Sequence, residues 1–299
     1  MLSDIRYAIR SLLQSRGFTA AALIALALGI GANTAMFSVV YTVLLKPLPY
    51  RQPDRLVWMA IYNKRFKGEI VTGPDFLDWR TQSHSFEPMA ACGAADRTLT
   101  GIADPFDIRT TGFSEPLGRL FGVQPVLGRD FLPAELQPGA NAHPVIISHR
   151  FYRSFFHGDR AALGARLVLN GQPFTVVGVL PPDFRLALPS PFGPQTETDA
   201  IVPMVINPAT QRRDGRAMII VQVLGRLRPG VGVGAARAEI AAIQSRLPRA
   251  PFLRPGDQEL LVQPLRDRLL GNTGRPLLIL LGAVGFVLLI ACANVANLL

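Results

Sequence analysis

Lysine is almost missing from this chain, standing only at Lys46, Lys64 and Lys67. None of the three follows the glycines of a G-x-x-x-x-G-K-[ST] phosphate loop, which excludes nucleotide binding by that route. Cysteine occurs twice, Cys292 within an apolar run and Cys92 in a segment of mixed polarity, so there is no disulfide framework. The four histidines, His84, His143, His149 and His157, make no H-E-x-x-H, and His143 and His149 lack cysteine or carboxylate neighbours at ligand spacing. No G-x-S-x-G nucleophile elbow is present either. Asp75, Asp78, Asp104 and Asp107 stand singly in turns and helix starts, where capping accounts for them. No catalytic residue, cofactor site or metal site is read from the sequence, and the chain is expected not to be an enzyme.

Charge is missing altogether from two stretches. Phe18 to Leu45 is 28 residues without Asp, Glu, Lys, Arg or His, and Pro276 to Leu299 is a second such run. A bilayer core about 30 Å thick takes about 20 apolar residues of helix, so each run predicts a transmembrane span. The first is too long for a signal-peptide core of about 7–15 residues. Between the runs, 46–275 is rich in charge, proline and glycine, as an aqueous domain must be. The formal charge of +10 comes mainly from arginine, scattered singly with no basic helix or aromatic interleaving, which excludes nucleic acid as a partner.

Residues 1–17 carry Leu2, Ile5, Ile9, Leu12 and Leu13 at helical spacing opposite Asp4, Arg6 and Arg10, as an amphipathic helix on a membrane surface would. Three arginines against one acid ahead of the first run place the N-terminus inside. In span one, Ala21, Ala25 and Gly29 repeat every fourth residue, as do Ala27, Gly31 and Ala35, two tracks that let another helix approach. Asn33, Asn294 and Asn297 put amides in the runs; each needs a partner there or a place at headgroup level. Neither run holds an Asp, Glu, Lys, Arg or His, which excludes an ion relay of such groups within them.

Within 46–275, Leu56–Ile61 reads as a strand, and Pro74–Phe86 as a helix opened by proline. Ala90–Leu99 and Phe106–Phe113 read as strands around a turn, and Glu115–Phe121 as a short helix. A region rich in proline and glycine follows, with strands at Pro144–Ser148, Arg166–Asn170 and Phe174–Leu180. There Asn170-Gly171 is the strongest hairpin signal in the chain. Met218–Leu227, Val233–Leu247 and Gln258–Pro264 then read as strand, helix and strand. The expected fold class is an α+β membrane protein: a split βαββαβ, ferredoxin-like subdomain (46–122 plus 216–270), with a β-rich subdomain inserted at 123–215.

Four separated motifs resemble permeases of the MacB/FtsX type, nearest the duplicated orphan subgroup of bacteria. They are Leu28-Gly-Ile-Gly-Ala-Asn33-Thr-Ala-Met-Phe37 with Leu45-Lys-Pro-Leu-Pro49; Gly73-Pro-Asp-Phe-Leu-Asp-Trp79; the stretch from Asn170 to Phe184; and the stretch from Ala283 to Leu299. The resemblance covers essentially the whole chain. It implies the permease subunit of an ABC transporter in the bacterial inner membrane, with a cytoplasmic N-terminus and a periplasmic or extracellular MacB-like core domain. Its partners would be a separate cytoplasmic ABC ATPase and a second permease unit, as dimer or pseudo-dimer. By mechanotransmission such a permease moves a drug, lipoprotein or other amphiphile on the outer side. The ATPase-docking loop of the family would follow Leu299, so the chain is expected to be the first part of a longer permease. The alternative is a membrane-tethered binding or scaffold module with no transport of its own.

Overall fold

The computed structural model describes residues 16–41, 48–65, 67–101, 104–186, 188, 197–211, 219–248, 256–271 and 274–298, with backbone alone for 16, 18–23, 25, 26, 274, 275, 291 and 294–298. The helices are α1 (Arg16–Val40), α2 (Gly73–Gln82), α3 (Leu117–Phe121), α4 (His149–Phe155), α5 (Val233–Arg246), α6 (Leu265–Leu270) and α7 (Gly274–Leu298). The strands are β1 (Leu56–Asn63), β2 (Gly68–Glu69), β3 (Val71–Thr72), β4 (Phe86–Thr100), β5 (Phe106–Phe113) and β6 (Leu127–Gly128). They continue as β7 (Pro144–Ile147), β8 (Arg166–Leu169), β9 (Gln172–Val179), β10 (Ala200–Pro203), β11 (Ile220–Leu227) and β12 (Gln258–Pro264).

The chain divides into two compact units, Met1–Pro47 with Leu270–Leu299, and Leu48–Leu269. The described part of the first is the pair α1 and α7, where alanine and leucine, strong helix formers, keep the helix continuous through its scattered glycines. Among the described residues no helix is long and apolar enough to cross a membrane, so the structure does not show the two expected spans. The amphipathic segment expected at 1–17 falls almost wholly outside the described residues.

The second unit is built on one mixed sheet in the order β12-β1-β11-β4-β5-β10-β7-β9-β6. Its first four strands pair antiparallel throughout. In chain order they run β1, α2, β4, then β11, α5, β12. Strand β1 is buried on both faces from Leu56 to Ile61, which is why it reads as an unbroken apolar run instead of an alternating one. Helix α2 starts at Thr72, whose hydroxyl accepts from the Asp75 amide at 3.2 Å, with Pro74 pre-set for the first turn. Its Trp79 is fully buried and donates from Nε1 to Gln244 Oε1 of α5 at 2.7 Å, pinning the two helices together.

Strand β4 belongs to both ends of the sheet. Its first half pairs with β11 (Gln222 opposite Cys92, Leu224 opposite Ala90), and from Cys92 onward it pairs with β5, ending with Leu99 opposite Phe106. Leu99 and Thr100 also meet β8. Beyond β5 the pairing is parallel to β10, antiparallel to β7 and parallel to β9. Two apolar clusters result. One gathers Trp58, Phe76, Trp79, Phe113, Phe121 and Ile240, and the other Val145, Ile147, Phe151, Leu169 and Val176. The region rich in proline and glycine holds short helix as well as strand, since Ser148 caps α4 by accepting from the Phe151 amide at 3.1 Å. At Asn170-Gly171 both residues have positive φ, 50° and 78°, as a type I′ hairpin requires.

Candidate functional site

Within the first unit, the described contact between the helices includes one small residue and one amide. Gly29 is buried, and a Cβ there would lie 2.9 Å from Leu288 Cδ1 of α7. One turn on, half-buried Asn33 donates from Nδ2 to Gly29 O at 3.0 Å and across the pair to Val284 O at 3.1 Å. Its amide protons are therefore satisfied within protein, as an apolar setting requires. Thr34 and Ser38 turn their hydroxyls back onto the carbonyls of Ile30 and Thr34, at 2.8 and 2.9 Å. Ala27, Gly31 and Ala35 are exposed, and a Cβ on Gly31 would meet nothing within 4 Å. The side chains of Ala21, Ala25, Asn294 and Asn297 lie outside the described residues. The partners Val284 and Leu288 carry no sequence signal, being two apolar residues among many.

The second unit carries clefts whose acids and bases are mutually engaged. A cleft of about 220 Å³ is lined by His149, Arg150, Phe184, Arg185 and Glu197. Arg150 reaches Asp199 at 2.5 Å and Arg185 reaches Glu197 at 2.5 Å, while the other Asp199 oxygen accepts from the Arg109 amide at 3.0 Å. Another cleft, of about 270 Å³, is lined by Arg80, Glu115, Arg119 and Met204. There burial pushes the Glu115 carboxyl up, against the opposing pull of Arg119 and Arg80. Nearby, Glu135 receives both guanidinium arms of Arg129, at 2.7 and 2.9 Å, and the Leu132 amide at 2.8 Å. The Arg129 hydrogen bond outweighs burial and holds the Glu135 carboxyl below the usual carboxylate range.

The residue types that carry bond chemistry are dispersed. His143 lies beside Gln172 and Phe174, and His149 meets Tyr152 edge-on. Among the described residues no group of three His, Cys, Asp or Glu is placed to hold a metal ion. Cys92 is fully buried on β4, where burial drives its thiol far above the ordinary range, so it is a neutral core side chain. What the unit presents is a mixed sheet with charged clefts.

The second unit is thus an α+β domain on a single mixed sheet, placed in sequence between two apolar helices. The chain belongs to the family of the MacB-like periplasmic core domain, whose profile matches residues 19–243. Among solved structures it is similar to the periplasmic region of MacB from Actinobacillus actinomycetemcomitans, at 12% identity and a TM-score of 0.50, covering 76% of this chain and 95% of that one. A domain of a protein assigned as a permease from Porphyromonas gingivalis matches at 20% identity and a TM-score of 0.49, covering 72% and 91%. The extracellular domain of the noncanonic ABC-type transporter YknZ from Gram-positive bacteria matches at 16% identity and a TM-score of 0.45, covering 68% and 99%. At such identities the MacB likeness is one of fold. No curated protein sequence matches the chain significantly.

Proposed function

We propose that this chain belongs to a permease subunit of an ABC-type transporter, acting by mechanotransmission with a separate cytoplasmic ATPase. The observation that carries the reading is the cross-bonded helix pair, Asn33 to Val284, formed by the two apolar runs that bracket a family-matched outer domain. Each helix has 25 residues, about 37 Å at 1.5 Å per residue. In this reading Phe18–Leu45 and Pro276–Leu299 are spans in the inner membrane, the N-terminus is cytoplasmic, and 46–275 works in the periplasm or outside the cell. The small residues Ala21, Ala25, Ala27, Gly31 and Ala35 and the amides Asn294 and Asn297 then serve contacts with further helices, including a second permease unit. The aqueous domain acts as a βαββαβ subdomain with an inserted β-rich one. The cargo class is an amphiphile, a drug or a lipoprotein.

The test has two readouts. In a chain lacking its native cysteines, single cysteines at Asp159 and Asp267 should react with a membrane-impermeant maleimide in intact spheroplasts, and one at Ser3 only after lysis. The tagged chain should also copurify with a vanadate-sensitive ATPase. Protection of the central sites in spheroplasts would sink the topology. Correct topology without any ATPase would favour a tethered scaffold over a transporter.

A further inference from the structure

We propose that a cleft in the second unit, lined by Arg51, Arg55, Gly118, Gly122 and Arg226, binds an oxyanion of the phosphate type, with Arg226 as its buried anchor.

Arg226 lies opposite Leu56 in the β11–β1 ladder, a position where the neighbouring residues are core. It is only 7% exposed. Its Nε donates to Leu120 O at 2.7 Å and its Nη1 to Gln52 O at 3.4 Å, while Nη2 is buried without any hydrogen-bond partner among the described residues. Burial drags the pKa of this guanidinium down, and the like charges of Arg55 and Arg51 drag it further. A buried cation with an idle donor and no counter-charge is costly, and the cost falls sharply when an anion arrives.

The surroundings supply that role with more donors. The cleft measures about 450 Å³, larger than a bare phosphate needs. Arg51 is exposed and has no acid partner among the described residues. Arg55 is fixed by donating from Nε and Nη2 to Leu227 O, at 2.8 and 2.5 Å, and its like charge is felt at Arg226. Gly122 has φ of +72°, and a Cβ there would lie 2.4 Å from Arg51 Cβ, so the missing side chain is what lets Arg51 lie along the wall. Against these cations stands one acid on the lining, Glu87, itself 3.8 Å from Arg228. Several guanidinium forks around one cavity match the multiple oxygens of phosphate better than the two of a carboxylate.

The phosphate could arrive as a free ion or on a lipid headgroup. In sequence, Arg51 follows Leu45, the end of the first apolar run, by six residues, which motivates the lipid source. Only that source rests on the membrane reading above; the oxyanion site itself does not.

The experiment is calorimetric titration of the full chain in a neutral detergent and low-salt, phosphate-free buffer. The probes are inorganic phosphate and dihexanoyl phosphatidylglycerol, with dihexanoyl phosphatidylcholine as the control. Saturable binding is expected, weakening as salt rises. It should weaken about tenfold in Arg51→Gln, the loss of one charged hydrogen-bond donor, tighten in Glu87→Gln and vanish in Arg226→Met. Arg51 lies on the surface, so Arg51→Gln decides the matter if Arg226→Met does not fold. Binding of phosphate alone supports the site with a free ion as its source; binding of phosphatidylglycerol alone or of both supports it with a headgroup. No saturable binding of either probe, or binding that Arg51→Gln leaves unchanged, overturns the proposal and leaves Arg226 as a tie between two carbonyls.

Discussion

Glu239 on α5 is a single carboxylate serving three donors at the junction where α2 passes into β4. The Ser83 hydroxyl donates to it at 2.8 Å, and the His84 and Ser85 amides at 2.7 and 3.0 Å. Burial alone would raise the carboxyl, but the bonds from Ser85, His84 and Ser83 reverse this and hold it below its ordinary value. A hydrogen bond to a charged group contributes about 1.5–3 kcal/mol, and half-exposed ones less, because water replaces the lost partner. We therefore expect Glu239→Ala to cost about 2 kcal/mol for the cluster as a whole, and Glu239→Gln about half of that, since one carbonyl acceptor remains. For a domain of this size 1 kcal/mol moves Tm by about 2–4 °C, so the Ala variant should melt about 4–8 °C lower. Trp58 and Trp79 provide the fluorescence signal for thermal or urea unfolding of the full chain. The pH dependence has a definite sign. A carboxyl depressed in the folded state contributes its stability in full above the unfolded value of about 4.3 and loses it as pH falls through the lower folded value. The wild-type and Glu239→Gln stabilities should therefore differ at neutral pH and converge on the acid side. A Glu239→Ala chain as stable as wild type, or a gap that widens with acid, would refute the reasoning.

At Gly128 a Cβ would fall 2.1 Å from Val177 O at a φ of +75°, so Gly128→Ala should lose about 2–4 kcal/mol in urea unfolding; a loss under about 0.5 would contradict the contact. Trp79→Phe strands Gln244 Oε1 in a half-buried site and should cost about 1–3 kcal/mol by the same assay, with Trp79→Phe/Gln244→Leu recovering part of it. Gly29→Leu should weaken the helix pair against denaturing detergent, whereas Gly31→Leu, which has open space, should not; the reverse order would mean that another face makes the contact.

What the sequence made readable was local. Gln258–Pro264 and Phe106–Phe113 are strands with the bounds that their side-chain pattern predicts, and Asn170-Gly171 turns a hairpin because its backbone tolerates positive φ. The helix read at Pro74–Phe86 ends at Gln82, since Ser83 leaves helical geometry and Phe86 already belongs to β4. Helix α4 and strand β10 escaped notice in a stretch dominated by proline and glycine, because seven and four residues are too short to show a period. Pairing was the harder part. That β11 lies between β1 and β4, and that β4 serves both apolar clusters, depends on contacts between distant segments that no local pattern encodes. The Arg226 cleft was invisible for the same reason. Its arginines come from 51–55 and 226, and they look scattered until the ladder brings Leu56 opposite Arg226.

That ladder also sets a timetable. Leu56 waits for Arg226 and Val57 for Pro264, so β1, made early, pairs only at Tyr62 and Asn63, with β2, until nearly the whole domain has left the ribosome. The hairpin of β8 and β9 and its parallel neighbour β7 close over far shorter loops and have everything they need before β11 exists. During that interval Leu56 to Ile61 is a bare apolar strand with open edges, the kind of segment that chaperones hold and that aggregates when they do not. A truncation before Gln258 would make that interval permanent. Chains cut there should be found with holdases or in inclusion bodies, while chains ending at Leu269 should not.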